Sequence, residues 1–261
     1  MCANQNYDYE ERIVVFLDIL GFREKVFQSK EKAAKVIMDI DNALKHSLEC
    51  LKINAGDDWF SVKMFSDCLC LSCEDINSNL FYMLSELSFL QFFLAESGIF
   101  VNGGLSCGYH FENDRIIFSE GLIKAYDIQN SNRFPSIVID NEVVSRIHDE
   151  PIKHYCESLN EYIILGPDGN FFIDYFQCVF EYESYTGLGD LLFEAHKGAI
   201  LGELNANKGN PRVIEKFKWL AEYHNLKFSE LYNSDDWEND YFCELEKRLV
   251  ISPDNFPTFK K

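Results

Sequence analysis

The feature that most constrains the fold is the segment RIVVFLDIL, residues 12–20. It is short, apolar and rich in β-branched residues, and it therefore predicts a buried strand. One carboxylate, Asp18, interrupts this segment, and Gly21 follows it three residues later. A structural strand gains no stability from such a carboxylate, because burial opposes its charge. Asp18 is therefore interpreted either as a cap for the following helix or as a ligand for a metal ion.

Short apolar segments alternate with longer amphipathic ones over the first 140 residues. Strands are also predicted at 60–65, 68–72, 99–111, 116–119 and 136–140, a hairpin at 161–176, and helices at 22–52, 76–97 and 120–131. Beyond residue 180 the spacing is helical, at 188–206 and 211–232. We predict an α+β domain over 1–178, with a mainly antiparallel sheet and flanking helices, and a helical C-terminal extension over 179–261.

The chain is strongly acidic, because 24 Lys and Arg stand against 43 Asp and Glu, for a net charge of −19. Such a charge disfavours binding to a nucleic-acid backbone or to an anionic membrane surface. No apolar run reaches the roughly 18 residues of a membrane-spanning helix. With no visible export signal and an odd number of cysteines, nine, we expect a cytoplasmic protein with reduced thiols. Any triphosphate site in it must carry its own local positive charge.

A second carboxylate, Asp67, lies with Ser66 between the strands predicted at 60–65 and 68–72. A tight hairpin here would bring Asp67 to the same sheet edge as Asp18, provided that the strands are neighbours. Two adjacent carboxylates stay ionised only with cations between them, and Mg²⁺ or Mn²⁺ suits oxygen ligands. The alternative for Asp67 alone is an ordinary turn residue.

The backbone after Asp18 predicts a further element of this site. Leu20, Gly21 and Phe22 lead directly into a predicted helix, where the first N–H groups have no intrahelical acceptor. Such groups bind phosphate, and glycine permits the close approach of a ligand. Metal-bridging carboxylates beside an anion-binding turn together predict a site for a nucleoside triphosphate.

Two of these segments, FLDILGF at 16–22 and KMFSDCLCLS at 63–72, resemble the metal-binding motifs of class III nucleotidyl cyclases. The segments at 103–111, 119–129, 134–140 and 216–225 narrow the resemblance to bacterial cyclases of Pycsar anti-phage defence, which make cyclic UMP or cyclic CMP. The resemblance implies a class III cyclase-like fold of the ferredoxin-like palm type. It also implies conversion of UTP or CTP to a 3′,5′-cyclic nucleotide, by a homodimer with shared active sites.

The resemblance implies roles for individual residues as well. Asp18 and Asp67, with the backbone carbonyl of Ile19, would hold two divalent cations, Mn²⁺ or Mg²⁺. Contacts to the nucleotide would come from Leu20, Gly21, Phe22 and Lys63.

Several positions depart from the family pattern. Purine cyclases carry an Asn and an Arg on the helix after the glycine strand, where this chain has Ile123 and Asp127. The pyrimidine enzymes often have Arg, Arg and Glu at the positions occupied here by Asn102, Ser136 and Gln129.

These departures leave two functions open: an active pyrimidine cyclase, or a catalytically weak or inactive cyclase-like protein that binds a nucleotide. In an active enzyme, Lys124 or Arg133 could supply the cation that the helix lacks. A diguanylate cyclase, another palm-type enzyme, would carry a Gly-Gly-Asp/Glu-Glu-Phe signature on the hairpin, and MFSDCL lacks it.

Overall fold

The computed structural model describes residues 8–55, 59–148, 159–180, 189–232 and 239–256. Within these residues the sheet has eight strands: β1 (Glu10–Ile19), β2 (Phe60–Phe65), β3 (Cys68–Glu74), β4 (Val101–Glu112), β5 (Ile117–Ser119), β6 (Ile137–Ile139), β7 (Ile163–Leu165) and β8 (Phe171–Ile173). They are ordered β2-β3-β1-β4-β6-β8-β7, and β5 pairs with β4 outside this path. The pairing of β4 with β6 is parallel, and the other described pairings are antiparallel.

The helices lie between and after these strands. They are α1 (Phe22–Val26), α2 (Lys30–Ala55), α3 (Asn77–Glu96), α4 (Glu120–Ser131), α5 (Asn141–His148), α6 (Gly189–Ala206), α7 (Pro211–Tyr232) and α8 (Asn239–Leu249). Short 3₁₀ turns are present at Leu159–Tyr162 and Pro253–Asn255. In the described part of the chain, no helix is both long enough and apolar enough to cross a membrane.

The order of the first four strands explains the fold class. β1 lies between β3 and β4 and is antiparallel to both. Helices connect β1 to β2 and β3 to β4, which gives the ferredoxin-like β-α-β-β-α-β pattern. The predicted α+β fold, with a mainly antiparallel sheet and flanking helices, is therefore confirmed.

The prediction of one continuous helix over 22–52 is wrong, because the chain leaves the helical conformation after Val26 and re-enters it at Lys30. Ser29 explains the break. Its Oγ accepts a hydrogen bond from the N–H of Lys32 at 3.4 Å, so a serine cap begins α2. The consequence is that α1 is a separate helix of five residues directly after the β1 end.

Alternation along β1 assigns its two faces. Ile13, Val15, Leu17 and Ile19 are buried at 0–2% exposure and belong to a core that α2 and α3 complete. Asp18 lies on the opposite face by the same alternation.

Helix α4 covers that opposite face, and glycines set how closely it packs. A Cβ atom on Gly104 of β4 would lie 2.2 Å from the carbonyl oxygen of Ala125 in α4. A Cβ atom on Gly121 would lie 2.8 Å from Cγ2 of Val14. Since neither distance is sterically possible for a real side chain, these glycines let α4 lie directly on β1, which carries Asp18, and on the neighbouring β4.

A second core, rich in aromatic residues, joins the C-terminal helices to the sheet. Its members include buried phenylalanines from α3, from the segment after β8 and from α6 and α7: Phe92, Phe176, Phe193, Phe217 and Phe228. Helix α3 therefore contributes to both cores, which is why apolar residues occur on all its sides. The predicted boundary between residues 178 and 179 stays a prediction.

Candidate active site

The two predicted carboxylates lie at one edge of the sheet. Asp18 is near the end of β1, and Asp67 lies in the two-residue turn between β2 and β3. Single ligand atoms of Asp18, Asp67 and the neighbouring Cys68 all lie within 4.8 Å of one another. The N–H of Ile19 donates to the carbonyl oxygen of Asp67 at 2.9 Å, which ties the end of β1 to the hairpin turn. The fold thus brings together residues that are far apart in sequence.

The electrostatics of this cluster favour a bound cation. Burial raises the pKa of Asp18, and the charge of Asp67 raises it further, whereas the charge of Lys216 lowers it. Burial, together with both carboxylates, also raises the pKa of Cys68 to about 11. Cys68 is therefore a neutral thiol, whose Sγ lies 3.7 Å from Oδ1 of Asp67. Two half-buried carboxylates that repel each other fit one or two divalent cations with a preference for oxygen ligands.

The predicted phosphate-binding turn is only partly as expected. The N–H of Leu20 is not free, because it donates to the carbonyl oxygen of Phe100 at 2.9 Å and extends the β1–β4 ladder. In the described structure, the N–H groups of Gly21 and Phe22 have no backbone acceptor. Gly21 has a φ of 66°, a left-handed conformation that suits glycine. A cavity of about 670 Å³ lies beside this turn and includes Lys25 in its lining.

Lys63 lies on the same face of the sheet but is separated from the carboxylate pair. It pairs with Cys70 of β3, whereas Asp18 pairs with Cys68. Its Nζ donates a hydrogen bond to the carbonyl oxygen of Asn113 and lies 4.0 Å from a carboxylate oxygen of Glu112. Lys63 is therefore held against the turn between β4 and β5, and a role for it with a nucleotide stays a prediction.

Three departures from the family pattern are joined in one hydrogen-bond network beside Asp18. Asn102 pairs with Asp18 across β1 and β4, and its Nδ2 donates to the carbonyl oxygens of Gln129 at 3.3 Å and Asn132 at 3.2 Å. The Nδ2 of Asn132 donates back to Oδ1 of Asn102 at 2.8 Å and to the carbonyl oxygen of Ser136 at 2.9 Å. The network fixes the C-terminal end of α4 next to Asp18. Sequence reasoning missed Asn132, which joins positions that are distant along the chain.

The two residues predicted to supply the missing cation, Lys124 and Arg133, have different surroundings from each other and from the two departure positions on α4. Ile123 and Asp127 are exposed on α4. Lys124, one of the two predicted sources, forms an ion pair with Glu120 at 2.9 Å on its own helix and donates to the carbonyl oxygen of Cys107 at 3.4 Å. Among the described residues, no hydrogen bond or ion pair joins it to Asp18 or Asp67. Arg133, the other source, lines a cavity that it shares with Lys216. Sequence reasoning did not single out Lys216, although its charge acts on Asp18.

A likeness to known proteins is found at the level of structure. No family model matches the chain, and no curated protein matches it. One similar structure is the crystal structure of a class III adenylyl cyclase-like ATP-binding protein from Pseudomonas aeruginosa, with a TM-score of 0.32 and 13% identity. The match covers 51% of this chain and 33% of the other, so it spans about a third of that structure. At this TM-score the likeness adds nothing to the topology described above.

Proposed function

We propose that this chain is a nucleotidyl cyclase that converts UTP or CTP to the 3′,5′-cyclic nucleotide and pyrophosphate. The observation that carries the proposal is the convergence of Asp18 and Asp67, whose ligand atoms lie within 4.8 Å. The motifs around both residues, which resemble those of the Pycsar cyclases, support the choice of a pyrimidine nucleotide. On the same resemblance, we propose that the product is a second messenger of anti-phage defence made in the cytoplasm.

In the proposed reaction, the ribose 3′ oxygen forms a bond to the α-phosphorus. The bond from that phosphorus to the oxygen bridging to the β-phosphate breaks, pyrophosphate leaves with the electron pair, and the hydroxyl proton passes to solvent. Two divalent cations, Mn²⁺ or Mg²⁺, would be held by Asp18, Asp67 and the carbonyl of Ile19. When bound, they would supply Lewis acidity at the attacking oxygen and neutralise the leaving group.

The chain itself would contribute mainly by positioning the substrate. The β1–β4 ladder and the hydrogen bond from Ile19 to Asp67 fix both carboxylates before a substrate binds. The N–H groups of Gly21 and Phe22 would contact the triphosphate, and Lys63 would contact the nucleotide from β2. In this proposal, residues 1–178 form the catalytic domain and residues 179–261 the helical extension.

The experiment is an assay of the purified chain with Mn²⁺ and each of the four ribonucleoside triphosphates. We expect a cyclic product from UTP or CTP, and a loss of at least about 100-fold in rate in Asp18→Asn, because metal-dependent charge stabilisation supplies much of the acceleration. Asp168→Asn is a matched control. Asp168 is exposed in the β7–β8 turn, and an Asn there keeps an oxygen for the hydrogen bond that Asp168 accepts from the N–H of Asn170. Absence of product from all four nucleotides would refute the cyclase proposal.

A shared active site requires a homodimer, and exposed apolar side chains on the α4 side of the sheet support one. Ile123 and Tyr126 of α4 are 64% and 46% exposed. We predict that Ile123→Asp shifts the protein from dimer to monomer in sedimentation velocity. Ile37→Asp, at a position 69% exposed on α2, is the control and should leave the dimer intact. A monomeric wild type, or a dimer unaffected by Ile123→Asp, would contradict the proposal.

The second candidate is a cyclase-like protein that binds a nucleotide without turning it over. The specific observation in its favour is that Asn102, Ser136 and Gln129, which depart from the pyrimidine-cyclase pattern, are joined in the hydrogen-bond network beside Asp18. It predicts Mn²⁺-dependent binding of a nucleoside triphosphate, measured by calorimetry, with no cyclic product and no pyrophosphate. Formation of either product would exclude it.

A further inference from the structure

Lys216 of α7 lies where two cavities meet. The first, of about 670 Å³, is the cavity beside the turn after β1, and its lining includes Gly21, Lys25, Phe217 and Lys216. The second, of about 290 Å³, lies between α7 and the segment after α4. Its lining residues are Asn132, Arg133, Phe134, Arg212, Glu215 and Lys216. The α7 helix, which belongs to the C-terminal extension, thus reaches the region of the proposed active site.

The second cavity concentrates positive charge in a chain whose net charge is −19. It is lined by three cationic side chains, Arg133, Arg212 and Lys216, against one carboxylate, Glu215. Across the described ranges, none of the three cations has a hydrogen-bond or ion-pair partner. Lys216 is also half-buried. Arg133 and Arg212 are exposed. Like charges that line one cavity repel one another, and a bound anion offsets that repulsion.

Packing and hydrogen bonds connect the second cavity to the region of the carboxylate pair, and of the three cations Lys216 is the one whose charge acts on Asp18. The ring of Phe134 stacks on Trp219 of α7, with centroids 5.2 Å apart, and so fixes the segment after α4 against the helix that carries Lys216. Asn132 of the same segment is hydrogen-bonded to Asn102, which pairs with Asp18. One continuous set of contacts therefore leads from the second cavity to the site where metal ions are proposed.

We propose that Lys216, with Arg133 and Arg212, forms the polyphosphate-binding subsite of this chain. The subsite would hold the terminal phosphates of the nucleoside triphosphate, and afterwards the pyrophosphate product. The inference rests on the proposed function and deepens it, because it assigns the cation that α4 lacks to the C-terminal extension of the same chain. Bidentate contacts from the two arginines and a point charge from Lys216 suit phosphate oxygens.

The test uses inorganic tripolyphosphate, which has no base and cannot be cyclised. Its affinity for the full chain is measured by calorimetry, with EDTA and with Mn²⁺. We expect Lys216→Met to weaken binding by about tenfold or more, and Arg212→Gln and Arg133→Gln by about threefold to tenfold, because a charged hydrogen bond is lost. The matched control is Lys218→Met. It removes the same charge from the same helix, but Lys218 lies over the ring of Phe256, and we expect less than about a twofold change.

Failure of the subsite and failure of the cyclase proposal give different results. The subsite is supported if Lys216→Met loses tripolyphosphate affinity with an unchanged unfolding midpoint, even when no nucleotide is cyclised. It is overturned if wild type binds no tripolyphosphate under either condition, or if Lys216→Met binds it as wild type does. In the second case, cyclic product with unchanged KM and kcat in Lys216→Met would leave the cyclase proposal standing.

Discussion

Two strand ends of the same sheet carry a buried or half-buried aspartate, and their surroundings are opposite. Asp174, directly after β8, is fully partnered: the hydroxyl of Tyr223 donates to its Oδ1 at 2.5 Å, and Nζ of Lys227 donates to its Oδ2 at 2.5 Å. Asp18, near the end of β1, faces a second carboxylate, Asp67. In the described structure no cation lies within ion-pair distance of Asp18.

The comparison shows how partners decide the role of a carboxylate. Burial raises the pKa of both Asp174 and Asp18. At Asp174, Lys227 and Tyr223 oppose that shift, whereas at Asp18 the charge of Asp67 adds to it. A carboxylate satisfied from within the chain stabilises the fold, and a repelling, half-buried pair favours an external cation.

The largest expected effect is on the satisfied side of the comparison. Asp174→Asn should lower the free energy of unfolding by about 3–5 kcal/mol, because it leaves Lys227 buried without its main counter-charge. Chemical denaturation measures this. The control is Glu230→Gln, which removes the other partner of Lys227, a side chain that is 42% exposed, and should cost less than about 1 kcal/mol. Equal effects of the two variants would show that Asp174 is not a structural carboxylate.

The contrast between the two aspartates also shows what could be predicted from the sequence alone. Both aspartates follow apolar strand residues, in VVFLD and in FFID, so local pattern does not distinguish them. The partners of Asp174, Tyr223 and Lys227, lie 49 and 53 residues further along the chain, on α7. Asp18 could be recognised because a glycine turn follows it and a hairpin aspartate matches it, which are signals close to each strand end.

Other features also divide into those that local sequence signals determine and those that depend on long-range contacts. The β2–β3 hairpin and the bounds of α4 follow from local turn and helix signals, and the sequence predicted both. The N–H of Leu20 donates to the carbonyl oxygen of Phe100, and the position of Lys216 depends on how α7 packs against the sheet. Such long-range contacts leave no periodic trace in the sequence, so the sequence predicted neither the hydrogen bond of Leu20 nor the position of Lys216 beside the turn after β1.

Glu86 of α3 is a third carboxylate to set beside Asp174 and Asp18, because it is buried and has one hydrogen-bond partner. Ser47 Oγ donates to its Oε1 at 2.6 Å, and burial raises the pKa of Glu86 to about 7. A raised pKa means that the native state keeps a proton that the unfolded state loses, so this contribution to stability falls as pH rises from about 4.5 to 7. Above pH 7, Glu86→Gln should therefore be more stable than wild type by about 2–3 kcal/mol.

The difference between variant and wild type at each pH is the quantity to measure. Burial lowers the pKa of His224 to about 4, so the stability that the neutral imidazole contributes is lost as pH falls below about 6.5. This loss would distort a pH profile of stability measured on wild type alone. Thermal unfolding from pH 5 to pH 8 should show the advantage of Glu86→Gln growing with pH. Glu49→Gln, at an exposed position on α2, is the control. Parallel curves for Glu86→Gln and wild type would rule out this assignment.

The smallest effect on stability is expected at Asp18, and its sign is what matters. Without divalent cations, Asp18→Asn should raise the free energy of unfolding by about 1 kcal/mol or less, because it removes repulsion with Asp67 at a partly solvated site. With Mn²⁺, wild type should gain stability by binding the ion, whereas the variant should not, so the order of their unfolding midpoints inverts. Asp174→Asn offers the internal contrast, since it should destabilise the chain equally with and without Mn²⁺. If Mn²⁺ stabilises Asp18→Asn as much as wild type, the ion binds elsewhere, and the open pair at the end of β1 is not a metal site.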